Sequence, residues 1–486
     1  MQPWRSHPFD DDKLREECGI FGAVGVQDAA NFVALGLHAL QHRGQEAGGI
    51  ITYDTTRGFQ SAHRFGLVRD NFTSAKLMET LPGSLGIGHV RYSTAGSKGA
   101  TAIRDVQPFF GEFSLGGAAI AHNGNITNAE AIRRELIERG SIFQSSSDSE
   151  CIIHLMARSI QRTHAERLKD ALRRVEGAFS IVAMTRTKLI GVRDKLGVRP
   201  LVLGRVGEGW VLASETCALD IIGATFEREI EPGEMVVIDA KGVVSSRPFE
   251  RTPPRSCIFE QVYFSRPDSI LGGRSVYETR HQIGVELARE APVEADLVCP
   301  VPDSGTPAAI GYSQESGIPF AMGIVRNQYM GRTFIEPSEQ IRNMGVRLKL
   351  NVNRALIAGK RVVLVDDSVV RGTTSQKIKQ MILEAGASEV HFRIASPPTM
   401  WPCFYGVDTP ERSKLLAARM SEDEMRDFIG VQSLKFVSLD GLYRAAGEAA
   451  GRKASCPQFC DACFSGDYPV APSDMIERGF ELKAAE

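Results

Sequence analysis

Residues 362–375 read VVLVDDSVVRGTTS: a continuously apolar run, two adjacent aspartates, then a loop that opens into small hydroxylated residues. An apolar run without alternation is what a strand covered on both faces requires, so Val362, Val363, Leu364 and Val365 predict a parallel strand with helices on either side. Asp366 and Asp367 then stand at the carboxyl end of that strand, the edge at which open α/β sheets place their ligands. Ser368 follows in the turn. Arg371, Gly372, Thr373, Thr374 and Ser375 start a helix whose backbone N–H groups and dipole favour an anion. The paired carboxylates suit ribose hydroxyls and, as hard oxygen ligands, Mg²⁺. A lone aspartate pair is more often an exposed acidic turn before a capped helix; the strand before it and the loop after it reverse those odds. No GxxxxGK[ST] is present, so this is not a Walker loop.

Outward from this stretch, strand-like and helical text alternates: ADLVCPVPDSG, a helix over Pro307–Ser316, the helical SQKIKQMILEAGA, then EVHFRIAS. That alternation predicts a parallel sheet with crossover helices. A second loop, Val301 to Thr306, also follows an apolar run and precedes a helix; PDSG by itself is an ordinary turn, and it gains meaning only from its partner loop. Between the two loops lies Arg326 to Ile335, basic and glycine-containing, followed by Arg342, Arg347 and Lys349. A loop of that composition could close over a polyanion and exclude water, although alone it would read as a solvated surface loop.

The first half differs. Residues 1–17 are polar and acidic, without apolar periodicity, and read as a leader. From Cys18 the text becomes CGIFGAVGV, an apolar, glycine-rich run expected of a buried strand whose backbone packs closely. Short β-like runs follow (GGIITYD, LGIGHVRYST, FSLGGAAIAHNG, FSIVAMT, WVLAS), separated by a helical segment over Asn128–Glu138, an α+β pattern with two sheets. RPFERTPPRS at 247–256 lacks periodicity and carries Pro253-Pro254, which makes it the candidate linker. The expected division is a leader over 1–17, a first domain over 18–250 and a second over 251–486.

Composition sets limits. The chain has 486 residues, 57 Lys+Arg against 59 Asp+Glu, and 43% hydrophobic residues, enough for two or three domains with cores. A net charge of -2 gives no global attraction to nucleic acid or anionic membrane. No apolar stretch is long enough to span a bilayer, and the start has no apolar signal region, so a cytoplasmic location is expected. Nine cysteines are too sparse for a disulfide scaffold and fit a reducing compartment. Cys460 and Cys463 form a CxxC, which suits a redox motif, half a zinc site or half an iron-sulfur site. Cys257 and Cys403 individually read as buried thiols, Cys456 as a substitute ligand, and Cys151, Cys217 and Cys299 as core.

Resemblance to known families sharpens these readings. VVLVDDSVVRGTTS matches the phosphoribosyl pyrophosphate (PRPP) signature of type I phosphoribosyltransferases. It implies PRPP contacts from Asp366, Asp367, Ser368, Arg371, Gly372, Thr373, Thr374 and Ser375. Asp303 and Ser304 would grip pyrophosphate, Arg326, Tyr329 and Arg332 would come from the basic loop, and Ser304, Asp366 and Asp367 would surround one Mg²⁺. In the first half, Cys18-Gly19-Ile20-Phe21-Gly22, His89 to Thr94, His122 to Asn125 and Ser147 to Glu150 together resemble a class II glutamine amidotransferase, an N-terminal-nucleophile hydrolase with an αββα sandwich. Taken singly, Asn123-Gly124 is a turn signal and Cys18 a buried thiol. The resemblance makes Cys18 the nucleophile, its α-amine the base once the leader is removed, and Asn123 with Gly124 the oxyanion site. Arg91 and Asp148 would bind the α-carboxylate and α-ammonium of glutamine.

This pair of domains is similar to the amidophosphoribosyltransferase family over nearly the whole chain. One subgroup, with a propeptide, carries one 4Fe-4S cluster per subunit, and Cys257, Cys403, Cys460 and Cys463 fall where it has its ligands. The resemblance implies glutamine and PRPP as substrates, ammonia passage under a closed 326–335 loop, purine nucleotides as feedback inhibitors and a homotetramer. Gln328 stands where a basic residue is common. Two other classes are weighed. A different glutamine amidotransferase would not carry VVLVDDSVVRGTTS, and a non-enzymatic PRPP-binding regulator would have no reason to carry Cys18, Arg91, Asn123-Gly124 and Asp148.

Overall fold

The computed structural model describes residues 15–16, 18–92, 103–327 and 350–480. Two antiparallel sheets build the first half. The seven-stranded sheet runs Thr225–Glu229, Val202–Val206, Gly209–Ala213, Cys18–Val24, Leu85–Arg91, Ala47–Asp54, Gly58–Phe65. The six-stranded sheet runs Gly242–Ser246, Met235–Asp239, Leu189–Arg193, Gly177–Met184, Gly116–Ile126, Phe109–Phe113. They pack face to face, with Ile20, Ile51 and Ile87 of one against Ala119, Val182 and Leu189 of the other. Glycine makes that approach close enough, since a Cβ on Gly22 would lie 2.7 Å from Val182 Cγ1. Helix Ala29–Ala39 covers the outer face of the first sheet, and helices Glu150–Arg158 and His164–Leu172 cover the second. The layers are therefore αββα.

These three helices are absent from the reading of the sequence. Ala29–Ala39 buries residues around most of its circumference, including Ala29, Val33, Gly36 and Leu37, and its narrow exposed stripe of Asn31, Leu35 and His38 is broken by a leucine, so little polar text announces a helix. Asn123-Gly124, a turn signal by composition, lies inside the strand Gly116–Ile126, with Gly124 at φ 142.

The second half carries the expected parallel sheet, in the order Leu297–Pro300, Arg361–Asp366, Glu389–Ile394, Ser433–Phe436. Val363 and Val365 pack on one face with Ala308 and Tyr312 of helix Thr306–Ser316 and Ile283 of helix Val276–Glu290. Val362 and Leu364 pack on the other with Ile378 of helix Thr373–Glu384 and Met425 of helix Glu422–Ile429. Both faces are covered, which is why the strand reads as unbroken apolar text.

The two halves are continuous in space. At the end of the proline-rich segment Arg255 N donates to Leu196 O (2.8 Å), and just past it Cys257 N donates to Val198 O (3.0 Å). The far end of the chain returns to the first half, where the Asp474 carboxylate accepts from Glu130 N (2.7 Å) and Ala131 N (3.3 Å) at the start of helix Ala129–Glu138. Within the leader, Arg15–Glu16 pair antiparallel with Val407–Asp408, a strand contact that the polar text does not announce.

Candidate functional site

Cys18 opens the strand Cys18–Val24 and is buried, 8% exposed. Register places it opposite Arg91, so the nucleophile candidate and the carboxylate-binding candidate are strand neighbours. Arg91 is buried and donates through Nη1 to Asp105 O. The Cys18 strand packs on the strand Gly116–Ile126 of the facing sheet, which carries Asn123 and Gly124. Asn123 is fully buried, and among the described residues neither its Oδ1 nor its Nδ2 has a hydrogen-bond partner. An unsatisfied buried amide costs roughly 1–3 kcal/mol, a penalty that makes sense where a ligand will take the bond. Gly124 is fixed by space, because a Cβ would stand 2.0 Å from Ala178 O.

Asp148 reaches the same strand, with its Oδ2 accepting from Ile126 N (2.9 Å) and its Oδ1 from Ser149 Oγ (3.0 Å). His122, just before Asn123, shares Ser149 Oγ through Nδ1 (2.8 Å), and Gln107 Oε1 accepts from His122 N (2.7 Å). Burial pushes His122 down and His89 well down from the usual imidazole range. Both rings stay neutral, so the candidate pocket has Arg91 as its cation and Asp148 as its anion.

In the second half the two predicted loops meet. Ser304 Oγ donates to Asp367 Oδ2, joining the loop after Leu297–Pro300 to the loop after Arg361–Asp366. Gly305 allows this approach, since a Cβ would lie 2.4 Å from Val365 O. Asp367 Oδ1 accepts from Ser368 Oγ (2.6 Å) and Asp366 Oδ1 from Asp367 N (2.9 Å). Arg371 and Thr373 are exposed, Thr374 is half-buried and Ser375 is buried on the inner face of the helix. Gly372 precedes that helix at φ 80. Arg326 pairs with Asp303 at 2.7 Å. Tyr329, Arg332 and Gln328, with the rest of the basic loop, lie outside the described residues.

Cys257, Cys403, Cys460 and Cys463 line one cavity, walled by Val198, Phe259 and Tyr405. A parallel strand pair sets Cys257 beside Cys460. Tyr405 N points at Cys403 Sγ (3.3 Å). Among the described residues no three His, Cys, Asp or Glu side chains are placed to hold a single metal ion. A zinc ion at about 2.3 Å from each sulfur would need the thiols drawn tightly around one point. An iron-sulfur cluster, with each cysteine on a different iron, takes four thiols around a larger space. Four thiols lining one cavity are a donor set of the kind that an iron-sulfur cluster or a zinc ion uses. Burial pushes the Cys257 thiol up to about 12 and the Cys460 and Cys463 thiols well above the ordinary range. Cys456 is exposed and outside this cavity, and Cys151, Cys217 and Cys299 are buried core.

One cluster escaped the sequence reading. Arg43 and Arg199, both fully buried, meet on Glu260, in the π-helical turn Glu260–Phe264 just after Cys257. Arg43 Nη2 donates to Glu260 Oε2 (2.6 Å) and Arg199 Nη1 to Oε1 (3.0 Å), while Glu215 accepts from Arg43 Nε. The cluster is two positive and two negative charges, all buried. Nothing in the text around these residues distinguishes them from surface charges; only tertiary placement does.

Fold and sites together define a glutamine amidotransferase joined to a phosphoribosyltransferase. The model of the glutamine amidotransferase domain matches residues 95–220. An amidophosphoribosyltransferase of Rhizobium etli is 56% identical over 95% of this chain and 94% of its own length. Amidophosphoribosyltransferase 1, chloroplastic, of Arabidopsis thaliana is 51% identical over 97% of this chain and 82% of its own. The solved structure of glutamine PRPP amidotransferase from B. subtilis, complexed with ADP and GMP, superposes with a TM-score of 0.87 at 44% identity, covering 94% of this chain and 98% of that one. The chain belongs to the amidophosphoribosyltransferase family.

Proposed function

We propose that the chain is a glutamine-dependent amidophosphoribosyltransferase of purine biosynthesis, and that each half-reaction belongs to one half of the fold. Glutamine is hydrolysed to glutamate and ammonia in the first half; in the second, ammonia displaces pyrophosphate from C1 of PRPP, giving 5-phosphoribosylamine. The observation that carries the site assignment is the buried, unpartnered amide of Asn123 on a strand packed against that of Cys18. In this reading the Cys18 thiol attacks the carboxamide, its own α-amine takes the proton, and Asn123 Nδ2 with Gly124 N–H hold the oxyanion. Arg91 and Asp148 hold the amino-acid end of glutamine. Ammonia leaves, and water releases glutamate from the thioester.

At the second site Asp366 and Asp367 hold the ribose, and the helix start after Gly372 holds its 5-phosphate. Ser304, Asp366 and Asp367 would hold Mg²⁺, which when bound would supply positive charge against the leaving pyrophosphate. The contact between Ser304 and Asp367 supports that ligand set. We further infer that the chain is of the iron-sulfur, propeptide-containing type, with residues 1–17 removed to free the amine of Cys18. The four-cysteine cavity supports the cluster. A structural or oxygen-sensing role follows from the chemistry, because neither half-reaction transfers electrons. Purine nucleotides as inhibitors are supported by the relative solved with ADP and GMP. A homotetramer and a cytoplasmic location complete the proposal; among the described residues no helix is long and apolar enough to cross a membrane.

Cys18→Ala tests the reading. Glutamine-dependent synthesis should fall by roughly three to six powers of ten while synthesis from ammonium salts persists. Loss of both would contradict a two-site mechanism. Anaerobic purification should give brown protein with about four irons per chain, and colourless protein holding zinc would refute the cluster.

A further inference from the structure

The buried charge cluster around Glu260 lies between the two elements that the glutaminase reaction must hold in register. Arg43 runs beneath the nucleophile strand, its Cδ 3.4 Å from where a Cβ on Gly19 would sit. Gly44, next to it, packs its Cα against the backbone at Val90 and Arg91, and a Cβ there would lie 2.7 Å from Arg91 N. Arg199 serves the oxyanion side. Its Nε donates to Tyr405 O (2.8 Å), and a Cβ on the adjacent Gly406 would stand 2.9 Å from Arg199 Nη2 and 3.1 Å from Gly124 Cα. Phe404 O also accepts from Asn125 Nδ2 (2.9 Å), so the 404–406 segment of the second half braces the Asn123–Asn125 backbone from outside.

Both arginines end on the same carboxylate, and that carboxylate comes from the second half. Ser265 Oγ also donates to Glu260 Oε2 (2.6 Å). Glu215, the other anion, is itself pinned by Arg266 N (2.9 Å) and Ser269 Oγ (2.7 Å). Burial alone would raise the Glu215 carboxyl, but Arg43 and His42 hold it well below the usual range, so it stays ionised.

We propose that Glu260 is a positioning residue for the glutaminase reaction: through Arg43 and Arg199 it fixes the Cys18 strand relative to the Gly124 oxyanion backbone. The inference rests on Cys18 and Gly124 acting as described above. A geometric error between nucleophile and oxyanion donors weakens contacts made in the transition state more than those that bind the ground state. Arg91 and Asp148 would hold glutamine in the ground state and the transition state alike, so an error of register should lower turnover more than it weakens glutamine binding. The expected signature is a split, with kcat falling and KM staying.

In the full-length processed enzyme, Glu260→Gln should lower kcat for glutamine hydrolysis at least tenfold, keep KM for glutamine within about twofold, and keep ammonia-dependent synthesis within about twofold. Arg199→Lys, which retains the charge but cannot bridge Tyr405 O and Glu260 together, should show the same split at smaller amplitude. Unchanged kcat in Glu260→Gln overturns the proposal, as does a rise in KM without a fall in kcat. If both variants lose both activities with a lowered Tm, the cluster is a folding requirement and the proposal is equally overturned. Wild-type enzyme without any Cys18-dependent glutaminase would instead refute the underlying reading.

Discussion

The two sites are built on opposite principles. In the first half, Cys18, Arg91, Asn123 and Gly124 sit within or at the ends of buried antiparallel strands that set their directions by register, and Asp148, in the turn before helix Glu150–Arg158, is tied to one of those strands through Ile126 N. In the second, Asp366, Asp367, Ser304 and the 371–375 segment sit at the carboxyl ends of parallel strands and in the loops beyond them. A strand-borne site is stiff and tolerates little change of backbone volume. A loop-borne site can rearrange around a polyanion and its metal, at the cost of holding its residues less firmly. The difference suits the chemistry: one site must point a thiol and an amide at the same small group, whereas the other must enclose a large, highly charged one.

Substitutions can break this contrast. Gly124→Ala forces a Cβ to within 2.0 Å of Ala178 O at a φ of 142, so a stiff site should lose about 10²–10³ in glutamine kcat while ammonia-dependent turnover persists. Steady-state assays with the two nitrogen donors read this, and near-normal glutaminase would mean the strand can yield. Asp367→Ala removes the partner of Ser304 and a metal-ligand candidate, and should cost roughly 10² with either donor; an effect confined to glutamine would misplace the diacid. The smallest effect concerns the scaffold. Asp296 accepts from the Arg361 side chain and from Arg361 N at the start of two parallel strands, and these bonds lower its carboxyl to about 2. A depressed carboxyl stabilises above its unfolded value near 3.8 and loses that contribution as pH falls toward 2. Asp296→Asn should therefore flatten the acid limb of a stability-against-pH curve measured by circular dichroism, by lowering stability at neutral pH and leaving it nearly unchanged near pH 2.

Legibility in the text followed how local each device is. The diacid loop was readable because strand, carboxylates and helix start are contiguous, and the unbroken Val362–Val365 run predicted a sheet covered on both faces. The αββα layering came from family resemblance, since three of its covering helices escaped: Ala29–Ala39 has too little polar surface, and Glu150–Arg158 and His164–Leu172 are short. Gly124 was ambiguous because Asn-Gly is a hairpin signal; only the packed neighbour Ala178 shows why a glycine is needed inside a strand. Glu260, Arg43 and Arg199 were not readable at all, because their meaning depends on a meeting between residues far apart in sequence.

The pairing of Cys257 with Cys460 sets an order of events during biosynthesis. Cys257 is translated well before Cys460, so the four-thiol chamber lacks its facing strand until the later segment is made. A group held by all four thiols could be seated only once Cys463 has been made and the Phe459–Cys460 strand has paired. Filling the chamber would then be a step separate from the folding of the first half, open to control by the supply of whatever group the thiols hold.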